Sequence, residues 1–413
     1  MSAPVGNALI GQSGGPTAVI NQSLVGVIEE CLRSERIKGV YGALHGVKGV
    51  LNEDMIDLGR ESAAVLEGVA NTPCAALRSV RMKPTEEDCA RMLEVFEAHD
   101  IRYFFYIGGN DSAETAHILN EIAVDRSYDV RLFHVPKTID NDLCVTDHCP
   151  GFGSAARFVA SALMGDNEDN RSLKGIKIDV IMGRHAGWLT AASTMAKVHD
   201  EDGPHLVYVP ERAFDLERFG QDVKEVYDSL GRCVIAVSEG VHDSEGKLIL
   251  ESQEKDSHGN VQLSGTGALG DFLASQLKEV LGPKTRIRAD TFGYLQRSFA
   301  DCVSEVDADE AREVGRTAAR IATSGEYQHG SIIIRREDDP TYRAAFEVTE
   351  LENVAQKTKV LPEEGILRDG LPELVSAAIG FVNNTVTPRI DEMKAEVRVP
   401  QPLCWTVMLI PRS

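Results

Sequence analysis

Between Ala8 and Gly240 a short apolar run repeatedly ends in a polar, glycine-bearing loop and then gives way to residues at helical spacing. The clearest cases are Ala8–Ile10 before GQSGGP, Tyr103–Ile107 before GGNDS, Ile176–Ile181 before MGRHAG, and Cys233–Val237 before SEG. Repeated strand-loop-helix units fold as a mostly parallel sheet with helices on both faces. Ligands of such sheets bind at the carboxyl ends of the strands, so the residues just after each run are where a site is expected.

At 413 residues the chain exceeds one core, and about 150 residues per domain predicts two or three domains. With 43% apolar and 26% charged residues it reads as an ordinary folded protein. Its charge, 43 − 64 = −21, repels polyanions and excludes broad nucleic-acid or anionic-membrane binding. An anionic ligand must be small and held by a few local cations. The eight cysteines include no C-x-x-C pair and read as reduced thiols. No basic segment followed by an apolar one opens the chain, and no stretch approaches a membrane span, so a cytoplasmic location is expected.

Ile20, Leu24, Val27, Ile28 and Cys31 keep the spacing of one buried helical face, with Pro16 as a favoured first-turn residue. The most polar stretch, Asp243–Asn260, reads as an exposed loop or insertion. From about Asp338 onward the glycine-loop punctuation fades and the functional signal is slight.

GQSGGP (Gly11–Pro16) reads as a phosphate cradle or as a plain glycine turn. In GGNDS (Gly108–Ser112), Asp111 or Ser112 can be a helix N-cap. PKTIDND (Pro136–Asp142) sets Lys137, Asp140 and Asp142 within seven residues after another strand, Arg131–Val135. Two acids beside a lysine suit phosphoryl transfer, where the protein positions groups, neutralises charge and supplies a base. No Walker motif is present; the nearest approach, Gly240 to Lys247, lacks the Ser/Thr that holds the metal.

Taken in order, SGGP, GGND, KTIDND, MGR (Met182–Arg184), SEG (Ser238–Gly240) and GYLQR (Gly293–Arg297) make the chain resemble the phosphofructokinases, and within them the pyrophosphate-dependent branch, over roughly residues 5–335. The resemblance implies an α/β fold of two doubly wound, Rossmann-like domains with mostly parallel sheets flanked by helices and the active site in the cleft between them. Residues 1–151 plus about 296–345 would form the donor-phosphate domain, and residues 152–295 plus about 346–413 the sugar-phosphate domain and C-terminal tail. The implied reaction is reversible transfer from pyrophosphate to the 1-hydroxyl of fructose 6-phosphate with Mg²⁺, by a homodimer or homotetramer.

On the same resemblance Asp140 is the general base, Thr138 contacts the moving phosphoryl group, and Arg184 stabilises its charge. Met182, Gly183, Glu239, Tyr294 and Arg297 belong to the sugar side, the last two at the 6-phosphate. Arg288 is a further sugar-phosphate ligand, supplied in bacterial relatives by a neighbouring subunit. Gly14, Gly15, Arg81 and Lys137 bind pyrophosphate. ATP-using relatives have GGDG, whereas Asp111 here puts a carboxylate where the α-phosphate of ATP would lie, and Lys137 replaces the small residue of PGTID. Asn110 stands where most relatives have a metal-ligating aspartate, which leaves Mg²⁺ to substrate oxygens, waters and a carboxylate such as Asp140 or Asp142. An arginine that relatives place before the MGR strand has three candidates here, Arg171, Lys174 and Lys177.

Three other readings compete. One is an ATP-dependent phosphofructokinase. Another is an NAD(P)-dependent oxidoreductase, from GTGALG (Gly265–Gly270) with Asp290 beyond it, although the preceding EKDSHGNVQLS is too polar for the strand that fingerprint needs. The third is a non-catalytic regulatory subunit, favoured only by Asn110 and opposed by Lys137, Thr138, Asp140 and Arg184.

Overall fold

The apolar runs pair into two sheets. A computed structural model describes residues 3–250, 267–337 and 342–362. Among these the strands are β1 (Gly6–Gln12), β2 (Ile37–Ala43), β3 (Met55–Asp57), β4 (Ile101–Gly108), β5 (Arg131–Pro136), β6 (Gly175–Ile181), β7 (Leu206–Tyr208), β8 (Arg232–Ser238), β9 (Ile287–Thr291), β10 (His329–Arg336) and β11 (Ala344–Thr349). The larger sheet has seven strands in the order β11-β10-β5-β4-β1-β2-β3, and the smaller has four in the order β7-β8-β6-β9. All pairings in the smaller sheet are parallel. In the larger, only the edge strands β3 and β11 run antiparallel to their neighbours.

Successive strand residues point to opposite faces, and both faces of the larger sheet are covered. Ala8, Ile10, Phe105, Phe133 and Val135 pack with Leu24, Ile28, Val314 and Ala318 from helices Ile20–Arg33 and Glu305–Ser324. Leu9, Phe104, Tyr106 and Leu132 pack on the other side with Met92, Phe96 and Leu119 from helices Glu86–Ala98 and Asn110–Asp125. Two buried faces explain why these strands read as unbroken apolar runs, each large side chain contributing about 1.5–3 kcal/mol on burial.

Strand order reverses at β1, which pairs with β2 on one side and β4 on the other. A crevice therefore opens at the carboxyl ends of β1, β4 and β5. Helix Phe152–Leu173 leads the chain to the smaller sheet, and Asp307 holds its N-terminus by accepting from the Gly151 and Ser154 N–H groups at 2.8 and 2.9 Å. That helix packs with Ile181, Trp188 and Val234 of the smaller sheet's layer.

Several expectations are corrected. The first helix begins at Ile20, so Pro16 lies in the preceding loop and not in the first turn. The expected boundary near residue 345 cuts β11, which extends the larger sheet. In the part of the chain where the functional signal reads as slight, residues 342–362 supply that strand and the contacts described below. In the polar stretch Asp243–Asn260, residues 243–250 form a tight turn with Gly246 N–H on the Asp243 carbonyl, and 251–260 lie outside the described residues. Of GTGALG, residues 265 and 266 also lie outside them, and helix Ala268–Leu281 starts after Gly267. Seven cysteines are free thiols, and Cys404 is outside the described residues. Among the described residues no helix is long and apolar enough to cross a membrane.

Candidate active site

Strand-end loops from both sheets converge on one cleft of about 350 Å³. From the larger sheet come Gly14 and Gly15 after β1, Asn110 and Asp111 after β4, and Lys137, Thr138, Asp140 and Asp142 after β5, joined by Arg81. From the smaller come Met182 and Arg184 after β6, Glu239 after β8, and Tyr294 and Arg297 after β9. Residues as far apart in sequence as Gly14 and Arg297 thus face one space.

The β1 loop works differently from a phosphate cradle built on a helix terminus. Its helix starts only at Ile20, the Ser13 N–H donates to the Ile107 carbonyl at 2.9 Å, and the Gly14 N–H donates to the Val80 carbonyl at 3.1 Å. The loop contributes space. Gly14 has φ +74°, and a Cβ there would lie 3.1 Å from the Lys137 ammonium; at Gly15 it would lie 3.1 Å from the Arg297 guanidinium. Any side chain would crowd the two cations where an anion must reach them. The bond to Val80 also sets the backbone from which Arg81 enters the cleft.

The β4 loop does present a helix N-terminus. Gly109 is the N-cap of helix Asn110–Asp125, so neither Asp111 nor Ser112 is the cap, and Asp111 stands exposed in the first turn. A first-turn carboxylate is favoured by the helix dipole. Beneath this loop the buried His134 bridges Ser331 Oγ at 2.8 Å and the Gly108 carbonyl at 2.9 Å, and burial pushes its pKa down to about 4. A neutral imidazole therefore braces the point where the Lys137 N–H also meets the Gly108 carbonyl at 2.9 Å.

On the smaller sheet, the Glu239 N–H donates to the Ile181 carbonyl at 2.9 Å and Ser238 Oγ donates to the Gly183 carbonyl at 2.5 Å, so the MGR and SEG loops interlock. Gly183 has φ +150°, and a Cβ would sit 2.6 Å from the Ala186 carbonyl oxygen. Gln296 accepts the Met182 N–H at 3.2 Å, tying GYLQR to MGR.

Burial strengthens every charge effect here. Lys137 is driven down to about 8 by burial and then by Arg297, with Arg81 adding to the effect and Asp140 and Asp142 opposing it. Arg297 is lowered by burial and then by Arg81. Lys137, Arg81 and Arg297 stand close enough for their charges to repel one another, and an anion bound among them relieves that repulsion. Burial raises the Asp140 carboxyl against the pull of Arg297, Lys137, Arg184 and His185. Burial and then Asp140 raise Asp142 to about 7. Asp140 Oδ1 and Asn110 Oδ1 are buried without a hydrogen-bond partner. An orphaned carboxylate oxygen is a ready proton acceptor, and orphaned oxygens beside a second carboxylate suit a hard cation such as Mg²⁺.

Arg288 stands apart. It is exposed on edge strand β9 and donates to the Ile287 carbonyl at 2.9 Å, outside this cleft. Of the three candidates before the MGR strand, Arg171 pairs with Asp202 at 2.5 Å, Lys174 is exposed, and Lys177 sits among Asp166, Asp179 and Asp290, so none lines the cleft. The cleft also holds Ser13, Met82, His185 and Thr358, to which the sequence assigned no role. The first three flank motif residues and were within reach of the reading, whereas Thr358 lies in the segment read as silent.

The Phosphofructokinase family profile matches residues 7–337. A relative from Rhodospirillum rubrum, called pyrophosphate--fructose 6-phosphate 1-phosphotransferase, is 53% identical over 369 residues, 88% of this chain and 90% of that one. A protein of the same name from Xanthomonas campestris pv. campestris is 41% identical over 88% of both chains. Among solved structures, the pyrophosphate-dependent phosphofructokinase from Nitrosospira multiformis is 34% identical, with a TM-score of 0.79 and 91% of each chain covered.

Proposed function

The chain belongs to the phosphofructokinase family, and we propose that it is a phosphotransferase that moves a phosphoryl group reversibly between pyrophosphate and the 1-hydroxyl of fructose 6-phosphate. The observation that carries this reading is the single cleft that Arg81, Lys137, Arg184 and Arg297 line together with Asp140, whose buried Oδ1 has no hydrogen-bond partner.

Asp140 takes the proton of the sugar hydroxyl as its oxygen attacks the terminal phosphorus of pyrophosphate. The new P–O bond forms, the bridging P–O bond breaks, and inorganic phosphate leaves. A carboxylate raised by burial is a stronger base than a solvated one, which favours this proton transfer. Lys137, Arg81 and the space over Gly14 and Gly15 receive pyrophosphate, with Thr138 and Arg184 at the transferring group. Met182, Gly183, Glu239 and Tyr294 hold the sugar phosphate. Magnesium, held by Asp142, Asn110 and one oxygen of Asp140, would neutralise phosphate charge as the bond breaks. The two sheets divide these tasks, the larger serving the donor and the smaller the sugar. The protein works in the cytoplasm as a homodimer or homotetramer, in which Arg288 on edge strand β9 serves the sugar site of a neighbouring copy.

Phosphorus NMR tests the chemistry: fructose 6-phosphate with pyrophosphate should yield fructose 1,6-bisphosphate and phosphate, and the reverse mixture should yield pyrophosphate. Absence of turnover in both directions would contradict the reading. Arg297 stands between the halves, its guanidinium against Gly15 and its charge felt by Asp140 and Glu239. Arg297→Ala is expected to raise KM for the sugar phosphate, and KM for pyrophosphate with it, by far more than it lowers kcat. Steady-state kinetics with unchanged KM values would remove Arg297 from the site.

A further inference from the structure

The segment after β11 passes from the larger sheet's helices to the loops of the smaller sheet, and it is fixed at each stage. Val354 and Ala355 pack with Ala113, Leu143 and Cys149. Gln356 donates to Glu114 at 2.7 Å, Thr358 lines the cleft, and the Leu361 N–H reaches Glu211 at 2.8 Å. The same carboxylate oxygen of Glu211 accepts from the Gly187 N–H at 2.9 Å, just beyond Arg184.

In the middle of this path stands Lys359. Its ammonium has three protons to donate, and it meets Asn141 Oδ1 at 3.3 Å and the carbonyls of Thr146 and Asp147 at 2.9 Å each. Its N–H donates to the Asp142 carbonyl at 2.7 Å. The residue so held has an uncommon backbone: Asn141, between Asp140 and Asp142, has φ +54°, in the left-handed region that asparagine enters more readily than most residues. The ammonium also lies 5.1 Å from the centre of the Trp188 ring, a cation–π distance, and the Trp188 indole N–H donates back to the Lys359 carbonyl at 3.2 Å. Trp188 opens the helix that follows the loop bearing Arg184 and His185.

We propose that Lys359 is a positioning residue for the phosphoryl transfer described above: it holds the Asp140–Asp142 loop in its left-handed turn and clamps that loop to the one carrying Arg184. It touches neither substrate. The role rests on the proposed reaction only for its kinetic consequence, because the clamp itself is a property of the free protein. Base and phosphoryl-contacting arginine come from different sheets, so their separation depends on a link of this kind, and a displacement of about 1 Å in such a constellation can cost about a hundredfold in rate.

The test compares wild type with Lys359→Met, which keeps the apolar stem and loses the donors, and Lys359→Arg, which keeps charge and donors. Amide hydrogen exchange should rise about tenfold or more in residues 140–147 of Lys359→Met while β1, β4 and β6 stay protected. Its kcat should fall by about ten- to a hundredfold with both KM values within about threefold of wild type, and Lys359→Arg should recover most of both effects. Wild-type exchange in residues 140–147 would overturn the proposal, as would loop protection lost together with that of β1 and β4, which would mark a general folding role. A wild type inactive with either donor would sink the proposed reaction, and the exchange comparison would still decide whether Lys359 holds the loop.

Discussion

Asp140→Asn should leave the fold and sugar binding intact while reducing kcat by about 10²–10⁴-fold, the usual contribution of a positioned general base. The substitution is nearly isosteric, and it removes the negative charge of a carboxylate whose Oδ1 stands buried without a partner. The backbone N–H of Asp140 on Thr138 Oγ1 at 3.1 Å is unaffected by it. Neutralising a carboxylate pushed up by burial does not harm stability, since burial disfavours its charged form. Rapid-quench or coupled assays with titration of the sugar phosphate separate the two parameters. A variant keeping more than about a tenth of wild-type kcat would show that another group takes the proton.

Asp111→Gly should weaken use of pyrophosphate and permit measurable use of ATP. Asp111 lines the cleft in the first turn of its helix, and on the proposed reaction its bulk and charge would exclude a third phosphate. Its side chain is exposed. Water screens the carboxylate, so a change in donor preference of about ten- to a hundredfold is expected, equal to about 1.4–2.8 kcal/mol. The helix should tolerate the change at about 1 kcal/mol. Lys137→Ala is the control: its ammonium faces Gly14, and its loss should harm pyrophosphate use with no gain for ATP. Donor preference unchanged in Asp111→Gly would refute the argument from this side chain.

The central strands β1, β4, β5, β6 and β8 and their terminal loops were legible because each is an apolar run buried on both faces, so its loop had to carry the polar residues. That logic placed Lys137, Asp140, Arg184 and Glu239 at strand ends, whereas Arg297 followed from the family resemblance alone. It failed where local sequence carries no mark of tertiary partners. Pro16 looked like a helix start, yet the Ser13 and Gly14 N–H groups are taken by strand β4 and by Val80, and the chain turns helical only at Ile20. Lys177 was one of three candidates for the arginine before the MGR strand, but three carboxylates from separate segments, Asp166, Asp179 and Asp290, meet around it. Thr358 and Lys359 gave no signal at all, because their importance comes from a segment crossing between two sheets rather than from any motif of its own.

The most direct measurement is the specificity of the wild-type protein for its phosphoryl donor. With fructose 6-phosphate and Mg²⁺ held constant, kcat/KM should be higher for pyrophosphate than for ATP by at least about tenfold, the effect assigned to the Asp111 side chain. ATP supporting turnover as well as or better than pyrophosphate would contradict the account and make the chain an ATP-dependent phosphofructokinase.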